Sequence, residues 1–284
     1  GHTLDGASVI ACLAGDVRPE MVTALDRLKA AGIEVEIGDG ALQAEQQNPG
    51  FLSRMRRQKP WVRLKMAASL DGQTALQNGQ SQWITGPEAR ADGHAWRARA
   101  CAILTGIGTV LEDDPLLDLR LCANLGAAPR MPHLVIVDSN LETPPSAKLF
   151  QHSQPGALTP RQVWIYAAKD HPDKRSALET LGAHISVLPN EHGKVDLSAL
   201  MTDLAKREVN ELHVEAGHKL NGSLIREECV DEFLVYLAPK LIGGPLNSLG
   251  NLGVANISQA KDLEFIEVKQ LGPDLMIRAI ERNN

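Results

Sequence analysis

At 284 residues, 43% of them apolar and 23% charged, the chain is long enough to bury a sizeable core, as one large domain or two smaller ones. Its formal net charge of -6 argues against non-specific nucleic-acid binding, which needs a basic surface, while local basic patches could still hold a small anion. No apolar run approaches the roughly 18–20 residues of a spanning helix, and no signal-peptide pattern opens the chain, so no membrane partner is expected. Cys12, Cys101, Cys122 and Cys229 lack metal-ligand spacing and are expected as buried free thiols in a reducing cytoplasm. The start Gly1-His2-Thr3, without methionine, reads as a tag remnant, a cleaved product or a fragment.

In chain order, Ala7–Leu13 is a short strand-forming run. Pro19–Ala31 has proline at a helix start and Gly32 as a stop. Ile33–Ile37 alternates apolar and acidic residues as a half-buried strand does. Ala41–Arg57 reads as helical apart from Pro49-Gly50, with a basic end suited to a helix C-terminus. After Pro60, Val62–Ala68 is a buried strand, Ser69–Gly72 a turn, and Gly86-Pro87 the opening of a helix to about Ala100. Ala102–Thr105 is a strand followed by a short helix to Glu112. Leu134–Asp138, Val163–Ala167, Ile185–Leu188 and Leu212–Glu215 are further strands, and Gly217–Glu228 is a helix. Phe233–Ala238, Leu263–Leu271 and Leu275–Ile280 close the chain, the last two as a hairpin about Gly272-Pro273-Asp274. Strands alternating with helices make the class α/β.

Two strand–glycine–helix junctions carry the first functional signal. Ile103-Leu104-Thr105 runs into Gly106-Ile107-Gly108-Thr109, and Leu212–Glu215 into Ala216-Gly217-His218-Lys219-Leu220-Asn221-Gly222-Ser223. Glycine lets backbone approach a ligand closely, and free N–H groups at a helix start attract phosphate. Side by side, the two would suit a dinucleotide. Neither has the full G-x-G-x-x-G pattern, and singly each reads as well as a tight turn. Lys65, within an apolar strand, is either on a solvent-facing edge or aimed into a site. Arg97, Arg99 and Arg120 have the fork that clamps phosphate, although each alone could be a surface residue. Glu215, at a strand's C-terminal end, stands where α/β sheets bind ligands; its alternative role is to cap the following helix.

Longer blocks are more specific. Pro60-Trp61-Val62-Arg63-Leu64-Lys65-Met66-Ala67-Ala68-Ser69-Leu70-Asp71-Gly72 is followed by Ser81-Gln82-Trp83-Ile84-Thr85-Gly86-Pro87, by Arg97, and by Ala102 through Gly106, Thr109, Asp113 and Asp114 to Pro115. Val137-Asp138-Ser139, Val214-Glu215-Ala216-Gly217, Val230-Asp231-Glu232 and Ala238 through Gly243 come later in the same order. From about residue 59 onward this series resembles the reductase domain of the bifunctional riboflavin-biosynthesis deaminase–reductase family. The resemblance implies a dihydrofolate-reductase-like mixed, mainly parallel sheet flanked by helices, binding NADPH along its strand ends. It implies reduction of 5-amino-6-(5-phosphoribosylamino)uracil to the ribitylamino compound by hydride transfer to C1′, in a cytoplasmic homodimer. It implies cofactor contacts at Ala67, Trp83, Thr109, Asp113, Ser139 and the turn Gly217, His218, Lys219, Leu220, Asn221, Gly222, Ser223. Ser81, Arg97, Leu117, Arg120 and Glu215 would meet the substrate, with Lys65 and Glu215 as the catalytic pair. Trp83 could equally be a core aromatic.

Two departures stand out. The loop pattern Asp-Asp-Pro-x-Leu-Thr-Val-Arg reads here Leu117-Asp118-Leu119-Arg120, with a carboxylate at the threonine position that we expect to face solvent. The zinc-deaminase signature, His-Ala-Glu with a Pro-Cys…Cys pair, is not in the chain, so no metal and no deaminase activity are expected. Residues 1–58 are expected as the partial β-α-β end of that domain plus a linking helix, carried by Gly32-Ile33-Glu34-Val35-Glu36 and Asn48–Met55. Residues 59–284 are then the reductase. The alternatives are a catalytically silent relative that binds NADPH or a pyrimidine nucleotide, and a dihydrofolate reductase proper, which the Ser-Leu-Asp-Gly block fits less well.

Overall fold

The computed structural model describes residues 9–11, 19–37, 45–119, 130–152, 161–244 and 247–282. A small parallel pair, β1 (Val9–Ala11) and β2 (Val35–Ile37), is joined through α1 (Pro19–Ala30). Next comes α2 (Pro49–Arg57), after a helical stretch at 45–47; Pro49 and Gly50, expected to interrupt the helix, are instead its first residues, because in the first turn the missing N–H of Pro49 does no harm.

The remaining strands form one nine-stranded sheet. They are β3 (Trp61–Ser69), β4 (Ala102–Gly106), β5 (His133–Val137), β6 (Val163–Ala167), β7 (Ala183–Val187), β8 (Glu211–Val214), β9 (Glu232–Ala238), β10 (Leu263–Leu271) and β11 (Asp274–Glu281), in the spatial order β10-β11-β9-β3-β8-β4-β5-β6-β7. β3 to β9 pair in parallel, and β10 and β11 add an antiparallel edge. Parallel neighbours need long crossovers, which put helices on both faces and make central strands apolar throughout. β4 (AILTG) and β6 (VWIYA) are buried at every position for that reason.

The helices are α3 (Pro87–Arg99), α4 (Ile107–Asp113), α5 (Pro172–Thr180), α6 (Leu197–Lys206) and α7 (His218–Arg226). One face of the sheet gives Leu64, Leu104 and Val214 to a core shared with Leu200 and Leu204 of α6 and Leu224 of α7. The opposite face gives Ile103, Ile136 and Ile165 to a core with Val110 of α4 and Leu178 of α5. α3 lies on that second face, its Ala89 packed against Leu234, Tyr236 and Met276. An ion network pins its C-terminal half. Arg63, 1% exposed, donates to Glu232 at 2.9 Å and Glu211 at 3.0 Å, and Glu232 also accepts from Arg278 at 2.6 Å. The Trp96 ring of α3 lies against Arg63 at 4.3 Å and Arg278 at 4.9 Å.

Strand order fixes where a ligand can enter. β4 leads outward to β5, whereas β8 returns between β3 and β4 and leads the other way to β9. Connections leaving adjacent strands in opposite directions open a crevice at the strands' C-terminal ends. The switch point of this sheet, where such a crevice is expected, lies between the ends of β4 and β8, the two junctions that carry glycines.

Candidate active site

Glu215 follows the last residue of β8, and its N–H donates to Leu104 O at 2.9 Å, which ties it to the end of β4. Arg97, in the last turn of α3, grips its carboxylate with two nitrogens, Nη2 reaching Oε2 at 2.8 Å and Nε reaching Oε1. Lys65 Nζ of β3 stands 4.0 Å from Oε2. The fully buried His213 brings Nε2 to 3.3 Å of Oε1, a contact without hydrogen-bond alignment. Three neighbouring elements thus deliver an arginine, a lysine and an imidazole to one carboxylate.

The electrostatics follow from that crowding. Burial works to raise the Glu215 pKa, but Arg97 and then Lys65 hold it well below the usual 4.5, so it is a carboxylate. Burial pushes the Lys65 pKa down, Glu215 opposes this and Arg97 adds to it. His213 is driven by burial toward its neutral form.

The glycine junctions meet as the sequence suggests. A Cβ on Gly106 would lie 3.1 Å from Leu220 Cδ2, and one on Gly217 would lie 3.9 Å from Thr109 Oγ1. The N-termini of α4 and α7 therefore sit side by side, with Thr109 facing Gly217. Ser139 follows the end of β5, on the same rim of the sheet, its carbonyl accepting from the N–H groups of Ala168 and Lys169 at 3.0 Å each. Ala67 packs with the α3 cluster, and Asp113 is the last residue of α4, its pKa raised by partial burial and then by Glu112. Ser81 and Trp83 lie in the β3–α3 connection, whereas Arg120 is outside the described residues.

Several expectations change. Trp83 is not a core aromatic: it is 64% exposed, with Arg90 4.5 Å from its ring and Lys240 donating to its carbonyl at 3.0 Å. The segment Gly217 to Ser223 is helical from His218, within the helix expected at Gly217–Glu228, and on it Asn221 donates to Ser248 O at 3.1 Å and Gly222 packs against Gly250. Glu215 does not cap α7; Gly217 holds the N-cap position without a side-chain bond. Asp118 does not face solvent, because one of its carboxylate oxygens is buried and its charge acts on Arg161. Arg99 pairs with Glu211 at 3.0 Å, away from Glu215. Cys229 is buried and Cys101 half-buried, both free; Cys12 and Cys122 lie outside the described residues. Among the described residues no group of three or more His, Cys, Asp or Glu side chains is placed to hold a metal ion, and no helix is long and apolar enough to cross a membrane.

Two residues were missed by sequence reasoning. His213 is one strand repeat before Glu215, a spacing that puts both side chains on the same face and could have flagged it. Arg161, which donates to the carbonyls of Leu116 and Leu117, left no local signal.

An open, mainly parallel sheet with an antiparallel edge, and a charged cluster at its switch point, define an α/β fold of the dihydrofolate-reductase-like class. The family model for the RibD C-terminal domain matches residues 60–277, and the chain belongs to that family of riboflavin-biosynthesis reductase domains. It is 39% identical over 269 residues to the riboflavin biosynthesis protein RibD of Escherichia coli, covering 90% of this chain and 69% of that one. The Acinetobacter baumannii RibD structure, form 1, superimposes with a TM-score of 0.79 at 33% identity, over 92% of this chain and 69% of that one. The Thermotoga maritima diaminohydroxyphosphoribosylaminopyrimidine deaminase/5-amino-6-(5-phosphoribosylamino)uracil reductase shares the fold, with a TM-score of 0.75 at 21% identity over 94% of this chain and 69% of that one.

Proposed function

We propose that the chain catalyses NADPH-dependent reduction of 5-amino-6-(5-phosphoribosylamino)uracil to its ribitylamino product. The observation that carries this reading is the Lys65–Glu215–Arg97 cluster at the mouth of the β4–β8 crevice, beside the start of α7. The crevice suits a dinucleotide: Gly217 brings the start of α7 close to Thr109, and the first-turn N–H groups of α7 favour an anion. Thr109, Gly217 and His218 would line the cofactor with Ala67, Trp83, Asp113 and Ser139, while Lys219 to Ser223 support it through α7. When bound, NADPH supplies the hydride that C1′ receives.

The chain's own residues supply position and a proton. Arg97 holds Glu215 ionised and aligned to accept a bond from a ribose hydroxyl. Lys65 Nζ gives its proton to the ring oxygen as the C1′–oxygen bond breaks, which balances the hydride. Because the Arg97 guanidinium is engaged by Glu215 and by Asp118 O, we assign the 5′-phosphate to Arg120, with Ser81 and Leu117 as further substrate contacts. Residues 1–58 are read as the end of a deaminase-type domain and 59–284 as the reductase. The 269-residue match to the E. coli protein, longer than the reductase region, supports that division. The reading includes a cytoplasmic homodimer, supported by the free thiols and by the apolar edge strand β10.

The test is loss of NADPH absorbance with the deaminated phosphoribosylamino-pyrimidine, with dihydrofolate as control. Turnover of the pyrimidine alone is expected. A folded, NADPH-binding protein without turnover would instead be the silent relative.

A further inference from the structure

Arg161 is only 4% exposed and stands two residues before the first residue of β6. Its Nη1 donates to Leu117 O at 2.7 Å, and its Nη2 to Leu116 O at 2.5 Å and Leu149 O at 3.1 Å. Leu117 is itself buried, with φ at 48°, a left-handed conformation that a leucine adopts only when its surroundings impose it. From the other side Arg97 donates to the next carbonyl, Asp118 O, at 3.0 Å while holding Glu215. Two guanidinium groups thus take three successive carbonyls of one loop, and one of the two also holds the catalytic carboxylate.

Charge balance points the same way. Burial pushes Arg161 down to about 10, Asp118 opposes this, and Arg97 adds to it. The Asp118 carboxylate, which stands where the family pattern has threonine, therefore lies in the field of Arg161. A buried guanidinium is costly to maintain unless its hydrogen bonds are satisfied. Here Nε has no partner, one bond goes to Leu149 O in the 3-10 turn at Lys148–His152, and the other two go to a segment outside the helices and strands, the one on which the proposed function places Leu117 and Arg120.

We propose that Arg161 is a positioning residue for the substrate: it fixes the backbone of residues 116–118 and offsets Asp118, so that the loop meets the substrate at a set distance from Glu215. The inference rests on the proposed function and deepens it. Arg161→Met should raise KM for the phosphoribosylamino-pyrimidine about tenfold or more, with kcat and NADPH Kd changed less than about threefold. Amide hydrogen exchange should quicken at residues 116–119 and stay unchanged at 217–223. Adding Asp118→Asn to Arg161→Met should recover part of the KM, because a carboxylate that Arg161 no longer offsets is then removed. Should Arg161→Met fail to fold, Arg161→Lys, which keeps the charge but lacks the planar fork that spans these carbonyls, is read by the same KM, NADPH Kd and exchange measurements, without the Asp118→Asn arm because the charge is retained. Unchanged KM, an equal loss of NADPH affinity, or no recovery from Asp118→Asn would overturn the proposal. If the wild-type chain shows no turnover, the function reading fails, and unchanged exchange at 116–119 still overturns the role of Arg161.

Discussion

Glu215 concentrates the electrostatics of the molecule in one side chain. Its pKa lies well below 4.5 in the folded chain, so its ionisation stabilises the fold at pH values above 4.5 and this contribution is lost as pH falls through the folded pKa. Glu215→Gln leaves Arg97 without its countercharge in a site where both side chains are largely buried. Removing one partner of such a pair costs about 3 kcal/mol, the lower end of the range for buried pairs. Denaturant titrations should therefore show Glu215→Gln less stable than wild type at pH 7, with the gap narrowing under acid conditions. A gap that stays constant from neutral to strongly acid pH would show that Arg97 does not sense the charge. Turnover by Glu215→Gln should fall by about 10²–10⁴-fold with NADPH still bound, as expected for a group acting on the reacting centre.

At the scale of elements, α7 depends on a close backbone approach. Gly222 packs on Gly250, and a Cβ on Gly250 would lie 3.0 Å from His218 O, closer than a side chain can sit without a shift. Gly250→Ala should push the first turn of α7 away from the crevice, costing about 1–3 kcal/mol and weakening NADPH binding measured by fluorescence titration. Unaltered binding and stability would mean that the loop yields instead. This contact also marks the limit of what the sequence discloses. Strands such as Val163–Ala167 and Leu263–Leu271 were legible because apolar runs and turn residues bound them, and the two glycine junctions were legible from their motif. Helices α5 and α6 were not placed, because weak local punctuation left only helices or loops between strands. The Arg97–Glu215 grip, the inward Asp118 and the Arg161 clamp depend on residues far apart in the chain, and no local pattern encodes such meetings.

At the scale of the whole molecule, the antiparallel edge presents several exposed apolar side chains to water. Phe265 is 66% and Val268 56% exposed on β10, and Leu275 on β11 is 40% exposed. Exposed apolar edge strands invite pairing with another chain, so a second copy should cover this one. Light scattering should give a dimer for the wild-type chain and a monomer for Val268→Lys; a monomeric wild type, or a dimeric variant, would place the interface elsewhere or nowhere. The strand order has one more consequence, for synthesis. β3 and β4 cannot pair with each other; both wait for β8, whose Leu212 pairs with Val62 on one side and Ala102 on the other. A chain emerging from the ribosome therefore leaves both edges of β3 and the inner edge of β4 open until residues 211–214 arrive, and non-local pairings of this kind close slowly. Because β8 also delivers Glu215, the stitch that joins β3 to β4 completes the cluster, and a chain truncated before it has neither.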